Sequence, residues 1–91
     1  MKLVWDDAKR NANLAKHGLD FVTLNVAFFE AATILPAREP RLMAIGQLDG
    51  RLVLVVIFSR LGREALSIVS MRPANAKERK LYHGYQASKK L

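Results

Sequence analysis

Residues 52–58 read Leu-Val-Leu-Val-Val-Ile-Phe, an unbroken apolar run in which most side chains are β-branched or aromatic. Asp49-Gly50 stands before the run and Gly62 follows it, so turn residues bound it on both sides. This pattern predicts a β-strand rather than a helix, and the run is too short to span a bilayer. Because such a strand is buried on both faces, it needs neighbouring strands at both edges and cover on both sides of the sheet.

The flanking sequence supplies further strands. Asp49-Gly50 is a strong signal for a two-residue hairpin turn, and a second turn is expected around Leu61-Gly62. Pro36 and Pro73 each end a strand-like segment. The other predicted strands are 2–5 (a short edge strand), 31–35, 41–48 and 65–72.

Helical segments lie at both ends of the chain. Asp6 is suited to cap a helix over residues 7–17, which Gly18 ends. Asp20 is suited to cap a second helix, and residues 74–90 predict a third. The side chains of the second helix that we expect to be buried against the sheet are Phe21, Leu24 and Phe28. The order β-α-α-β-β-β-β-α predicts an α+β fold with an antiparallel sheet, two N-terminal helices and one C-terminal helix.

Length and composition narrow the class of protein. The 91 residues predict a single domain, 1–91, with one modest core. There is no cysteine and there are only two histidines, which argues against disulfides and structural zinc. No signal peptide or membrane span is evident, so we expect a cytoplasmic protein. The net charge of +7 favours a polyanionic partner, such as RNA, DNA, an acidic protein or an anionic membrane surface.

The residues that could perform chemistry are dispersed cations and a few acid–base groups. The sequence has no glycine-rich phosphate loop, no His-Glu-x-x-His motif and no carboxylate pair suited to a metal ion. Lys9, Asn13 and Lys16 share one face of the first helix. The remaining candidates are His17, Arg38, Glu39, Arg41, Arg72, Glu78, Arg79 and Tyr82.

These residue types match the needs of RNA cleavage without a metal ion. One group must accept the 2′-hydroxyl proton, another must protonate the leaving 5′-oxygen, and a cation must stabilise the phosphorane. His17 is the preferred acid or base and Arg72 the preferred phosphate ligand. Glu78 is an alternative base, and Tyr82 could donate a proton or stack on a base. We predict that one groove brings together Lys16, His17, Arg41, Arg72, Glu78 and Tyr82.

Several of these residues also have a purely structural interpretation. His17 could simply compensate the dipole at a helix C-terminus. Glu78 stands three residues after Asn75, the spacing of a capping box. Tyr82 could be a core residue, and Trp5 is more consistent with packing than with base stacking.

Three segments resemble one known family. The first is Trp5-Asp6-x-x-Lys9-x-x-x-Asn13-x-x-Lys16-His17-Gly18-x-x-Phe21, and the second is Glu39-x-Arg41 followed by Gly46. The third is Ser70-Met71-Arg72-x-Ala74-Asn75-x-x-Glu78-x-x-x-Tyr82. In this order they are similar to the motifs of the BrnT toxin family, and they extend over nearly the whole chain.

The resemblance implies a RelE-like fold and a ribonuclease toxin of a type II toxin–antitoxin system, which inhibits translation by cleaving RNA. It implies a BrnA-like ribbon-helix-helix antitoxin that neutralises the toxin, joins it in a hetero-oligomer and carries it to operator DNA. No metal, cofactor or membrane partner is implied. The expected catalytic residues are His17, Arg72, Glu78 and Tyr82, and the expected substrate-binding residues are Lys9, Asn13, Lys16, Arg41 and Arg79.

A second hypothesis is a non-catalytic family member that acts as a binding module in an antitoxin–DNA repressor complex. Ser67 favours it, because the family often has arginine at that position. Growth arrest on expression of the chain alone would favour the ribonuclease.

Overall fold

The structure is a computed structural model that describes residues 1–50 and 52–89, and it has the predicted α+β fold. The predicted end of the last helix at residue 90 lies outside the described residues. No helix within them combines the length and apolar character needed to cross a bilayer. The elements in chain order are β1 (Lys2–Val4), α1 (Asp7–His17), a 3₁₀ turn (Phe21–Thr23), α2 (Val26–Ala31), β2 (Thr33–Pro36), β3 (Leu42–Leu48), β4 (Leu52–Leu61), β5 (Ala65–Pro73) and α3 (Ala76–Lys89).

The five strands form one sheet in the order β1-β5-β4-β3-β2, with β4 at the centre as predicted. The pairings β2–β3, β3–β4 and β4–β5 are antiparallel, whereas β1 runs parallel to β5. The expectation of a wholly antiparallel sheet was therefore wrong at one edge. The cause is connectivity. Strands β2 to β5 follow one another along the chain through short connections, which require antiparallel pairing, whereas β1 is separated from β5 by all the other strands and two helices and can run parallel to it.

Side chains of β4 alternate between two cores, which confirms that this strand is buried on both faces. Leu54 and Val56 belong to the core beneath the N-terminal helices, with Phe28. Val53 and Val55 belong to the core beneath α3. Val55 and Val56 are both completely inaccessible to solvent. The apolar run therefore fixes a three-layer arrangement, with helices on either side of the sheet.

The boundaries of α1 follow from local chemistry. The Asp6 side chain accepts a hydrogen bond from the Ala8 amide at 2.7 Å, which satisfies one of the free N–H groups of the first turn. Gly18 has φ +68°, and its N–H donates to the Leu14 carbonyl at 2.8 Å. Glycine adopts this left-handed conformation without the steric cost that other residues incur.

The predicted second helix is divided into two short pieces. Asp20 caps the 3₁₀ turn, but Leu24 is extended, and the Asn25 side chain accepts from the Phe28 amide to start α2. An asparagine that bonds its own downstream backbone favours such a new cap over a continuous helix. The burial predicted for Phe21, Leu24 and Phe28 is nevertheless confirmed.

In the hairpin between β3 and β4, Leu48 pairs with Leu52, and the described residues between them are Asp49 and Gly50. Both have positive φ, 54° and 69°. Asp and Gly tolerate this region, which explains why the Asp-Gly pair marks the turn.

Replacing Val55 with aspartate should prevent folding. The substitution buries an unpaired charge at the centre of the sheet, which costs several kcal/mol against a total stability of about 5–15 kcal/mol. Circular dichroism and thermal unfolding measure the result. Leu61→Asp is the matched control, because Leu61 lies on the same strand but is 52% exposed. A folded Val55→Asp protein with an unchanged melting temperature would contradict the proposed core.

Candidate active site

A β-bulge interrupts the pairing of β5 with β4. Phe58 pairs with Ile68, but the preceding residue, Ile57, pairs with Ser70, so Val69 is an extra residue on β5. An inserted residue reverses which face of the sheet the following side chains occupy. Bulges are common next to functional sites because they redirect a side chain in this way.

The bulge determines where Arg72 lies. Ile68 and Met71 are three residues apart, yet both belong to the core beneath the N-terminal helices. Arg72 pairs with Val55, whose side chain belongs to the core under α3. Arg72 is therefore carried to the side of the sheet where α3 begins.

Glu78, in the first turn of α3, binds Arg72 through two hydrogen bonds. Nη1 donates to Oε1 at 2.7 Å and Nη2 donates to Oε2 at 2.8 Å. The Glu78 side chain is only 14% exposed, and that of Arg72 is 36% exposed. The hydrogen bond from Arg72 is the main reason that the pKa of Glu78 lies below its ordinary value. Glu78 is therefore held as a carboxylate beside the guanidinium.

Glu78 also completes a capping box with Asn75. The Asn75 amide donates to Glu78 Oε1 at 2.9 Å, and the Glu78 amide donates to Asn75 Oδ1 at 2.8 Å. The structural interpretation of this spacing is confirmed. One carboxylate thus fixes both the start of α3 and the orientation of Arg72.

Asn13 attaches α1 to the edge of β5. Its side chain is 6% exposed, and both ends of its amide are used within the protein. Nδ2 donates to the Leu19 carbonyl at 3.0 Å, and Oδ1 accepts from the Met71 amide at 3.0 Å. Strand β1 pairs only with residues 65–67 of β5, so Met71 lies beyond its reach and Asn13 supplies the acceptor instead.

A groove of about 340 Å³ lies between α1 and β5. Lys9 and Lys16 are seven residues apart on α1 and therefore project from the same helix face. No acidic side chain is among the described residues that line the groove, so its local charge is positive. The lining residues are Lys9, Ala12, Asn13, Lys16, His17, Val69, Ser70 and Arg72.

Arg41 lies outside this groove, in a separate depression that it shares with Arg60. Leu42, the next residue, pairs with Phe58, whereas Arg72 pairs with Val55. Arg41 lies one residue beyond Leu42, so two strand spacings and about 13 Å along the strand direction separate Arg41 from Arg72. The predicted convergence does not extend to Arg41, because strand pairing places it at the other end of the sheet.

Tyr82 and Arg79 also lie outside the residues that line the groove. Tyr82 is 6% exposed and belongs to the core with Val53 and Val55. Its position four residues after Glu78 puts it on the inner face of α3, which packs on the sheet. Arg79 Nη1 donates to the Ala74 carbonyl at 2.7 Å. Of the six residues predicted to converge, Lys16, His17 and Arg72 share the groove and Glu78 contacts Arg72.

Sequence reasoning missed the ion pair between Arg10 and Asp20. Arg10 Nε donates to Asp20 Oδ1 at 2.7 Å, and Nη2 donates to Oδ2 at 3.0 Å. The bond from Arg10 is the main cause that lowers the pKa of Asp20. This pair holds the chain after α1 against the helix. Charges ten residues apart, across a helix end, give no periodic signal from which the contact could be predicted.

The described residues contain no group of three histidine, cysteine, aspartate or glutamate side chains placed to hold a metal ion. Trp5 packs edge-on against Phe21, with ring centroids 6.1 Å apart, as its structural interpretation predicted.

Comparison with known proteins identifies the family. The family model described as "Ribonuclease toxin, BrnT, of type II toxin-antitoxin system" matches residues 5–78, which is most of the chain. The chain belongs to the BrnT family. The crystal structure of the Brucella abortus ribonuclease toxin, BrnT, superposes with a TM-score of 0.79 at 51% sequence identity, covering 82% of this chain and 97% of that chain. No curated protein matches.

Membership in the BrnT family confirms the predicted resemblance. The protein is a ribonuclease toxin of a type II toxin–antitoxin system, which implies an RNA substrate and an antitoxin partner. Ser67, the residue that favoured a non-catalytic protein, pairs with Val4 and Ser59 inside the sheet and is absent from the described lining of the groove.

Glu78→Gln should reduce the loss of stability on acidification. The pKa of Glu78 is lowered in the folded state. Its charged form therefore adds to the free energy of unfolding above the unfolded-state pKa, and this contribution is lost as pH falls through the folded-state pKa. Between about pH 6 and pH 3 the wild type should therefore lose more unfolding free energy than the variant. Urea denaturation at both pH values measures this. Glu64→Gln, at an exposed site, is the control, and equal losses in wild type and Glu78→Gln would refute the prediction.

Proposed function

We propose that this toxin cleaves RNA without a metal ion, in the groove between α1 and β5, and that it acts in the cytoplasm. The observation that supports the proposal is the set of cationic and titratable side chains on one groove: Lys9, Lys16, His17 and Arg72. In this reaction the 2′-oxygen loses its proton and bonds to phosphorus, and the bond from phosphorus to the 5′-oxygen breaks. The 5′-oxygen then takes up a proton, so the two products are a cyclic phosphate and a free 5′-hydroxyl.

Arg72 is proposed to bind the scissile phosphate. A guanidinium has five N–H donors. Glu78 accepts one from each Nη, and the Pro73 carbonyl accepts from Nη1 at 3.4 Å. These contacts account for three donors, and the other two, Nε–H and one Nη2–H, lie along a single edge and have no acceptor among the described residues. Two parallel donors on one edge match two oxygens of a phosphate.

His17 is proposed to transfer protons, because it lines the groove and histidine is the side chain that most often acts as a general acid or base in enzymes. Lys9 and Lys16 precede His17 on α1 and line the same groove, where they would hold the RNA backbone. We assign Glu78 to positioning Arg72 rather than to base catalysis, because a carboxylate with a lowered pKa is a weak base. Asn13 would act by holding α1 on β5, since both ends of its amide are already bonded.

Arg72→Lys should reduce RNA cleavage about a hundredfold, which corresponds to about 3 kcal/mol of lost transition-state stabilisation. Lysine keeps a positive charge beside Glu78, so the protein should still fold, but it cannot offer two parallel donors. Arg72→Ala should abolish toxicity while the protein still folds and still binds its antitoxin. Single-turnover cleavage of a labelled RNA and growth after induction measure these effects.

Arg63→Lys is the matched control, because Arg63 is exposed in the turn between β4 and β5. EDTA should leave the wild-type rate unchanged, and RNA with 2′-O-methyl groups should not be cleaved. Wild-type cleavage by Arg72→Lys, or a strict requirement for added metal ion, would overturn the mechanism.

The proposed partner is a BrnA-like antitoxin with a ribbon-helix-helix part. The toxin would associate with operator DNA only through this antitoxin. The net charge of +7 supports an antitoxin with an acidic or amphipathic segment that covers the basic groove.

The association rate with the antitoxin should fall as ionic strength rises, because salt screens the attraction that steers opposite charges together. Stopped-flow mixing over a salt series measures this rate. Dissociation should change much less with salt and serves as the internal control. An association rate that is indifferent to salt would count against electrostatic steering.

A further inference from the structure

One face of α3 points away from the protein, and we call it the outer face of α3. The inner face of the helix contacts the rest of the chain: Glu78 binds Arg72, Tyr82 is in the core, and Gln86 Nε2 donates to the Ala31 carbonyl at 3.3 Å. The outer face lines a shallow groove of about 480 Å³. Its residues, all exposed, are Lys77, Lys80, Leu81, Gly84, Tyr85 and Ser88.

The outer face is basic and begins beside the candidate active site. It carries Lys77 and Lys80, and no acidic residue is among its described members. Glu78, the only acid in the first turn, has its carboxylate bonded to Arg72 on the inner side. Cations in the first turns of a helix face the positive end of its dipole, which disfavours them in the free protein. A polyanion along this face would relieve that repulsion.

Gly84 has no packing role within the protein. A Cβ added at this position would meet nothing within 4 Å, and no positive φ requires glycine there. Glycine weakens a helix relative to alanine, so the residue is unfavourable for stability alone. Because glycine has no side chain, the helix backbone between Lys80 and Tyr85 is left uncovered. Another molecule can approach the backbone closely there.

We propose that the outer face of α3 binds a stretch of single-stranded RNA that continues out of the candidate active site. Lys77 and Lys80 contact phosphates, and a base stacks on Tyr85, which is 45% exposed. Cations that follow the backbone, with an aromatic ring for a base, are the usual elements of such sites. From Lys77 to Ser88 the face is about 16 Å long, enough for more than one nucleotide. The inference rests on the proposed RNA cleavage and extends it to a second binding surface.

The composition of the face favours RNA over a protein partner. A specific protein interface buries about 800 Å² on each side, and lysine is depleted from its centre. Here only Leu81 and Tyr85 are large exposed apolar residues, and two lysines adjoin them. A second copy of the chain would bring the same lysines against one another.

The first test measures affinity for a single-stranded RNA with 2′-O-methyl groups, which binds but is not cleaved. Lys77→Ala/Lys80→Ala should weaken binding and make the dependence of log K on log salt less steep by about 1.4, or about 0.7 for each phosphate contact. Lys2→Ala/Arg63→Ala removes the same charge from the opposite end of the sheet and should leave the slope unchanged. Tyr85→Ala should weaken binding about 5- to 150-fold, and Tyr85→Phe should not.

Gly84→Ala provides a variant in which stability and binding change in opposite directions. The added methyl group should raise the melting temperature, because alanine is the better helix former. It should also weaken RNA binding several-fold, because the methyl group would keep the RNA away from the helix backbone. In cleavage assays Lys77→Ala/Lys80→Ala, Tyr85→Ala and Gly84→Ala should raise KM and leave kcat near the wild-type value, because the substitutions lie away from the reacting phosphate.

The results separate this inference from the proposed function. If Arg72→Lys loses cleavage while the outer-face variants bind RNA with wild-type affinity and salt slope, the second surface is refuted and the groove assignment stands. If the outer-face variants bind RNA normally but lose the antitoxin, the surface belongs to the protein partner and the inference is wrong. If the wild type neither binds nor cleaves RNA, both proposals fail.

Discussion

Burial of β4 on both of its faces is the constraint on which the arrangement of the other elements depends. Val55 and Val56 point in opposite directions and both are fully buried, so helices must cover each side of the sheet. The chain meets this requirement with its two ends: the N-terminal helices cover one face and α3 covers the other. Strand β5 lies next to β4 and also reaches both layers: Ile68 and Met71 belong to the core beneath the N-terminal helices, and Arg72 binds Glu78 of α3.

The candidate active site depends on three features of β5: a bulge, an ion pair with α3 and a hydrogen bond to α1. The extra residue Val69 turns Arg72 toward α3, Glu78 holds the guanidinium there, and Asn13 holds α1 against the strand edge. None of these contacts alone brings the cationic side chains together. Together they place lysines of one helix and an arginine of a strand on a single groove.

The sequence predicts those parts of the protein that local chemistry determines. The apolar run of β4, the Asp-Gly turn, and the caps Asp6 and Gly18 each depend on neighbouring residues, and the structure contains all of them. The capping-box spacing of Asn75 and Glu78 is local in the same sense.

The parts that were not predicted depend on contacts between distant residues. The bulge follows from how β5 pairs with β4, and the bond from the Met71 amide to Asn13 joins residues 58 positions apart. Arg41 was misplaced for the same reason, since its distance from Arg72 depends on strand order. Helical spacing put Tyr82 near Glu78 correctly, but it could not show that this side of α3 is buried.

The ion pair between Arg72 and Glu78 has two opposite effects on anion binding. It fixes the guanidinium before the substrate arrives, so less side-chain entropy is lost when a phosphate binds. It also cancels much of the charge of Arg72, because the neighbouring carboxylate is itself anionic. If RNA binds in this groove as proposed, most of the attraction for it comes from Lys9 and Lys16, on a different element. In this proposal, β5 supplies the oriented guanidinium of Arg72 and α1 supplies the positive charge of Lys9 and Lys16. The two act on the same phosphate backbone only because Asn13 holds α1 on the strand.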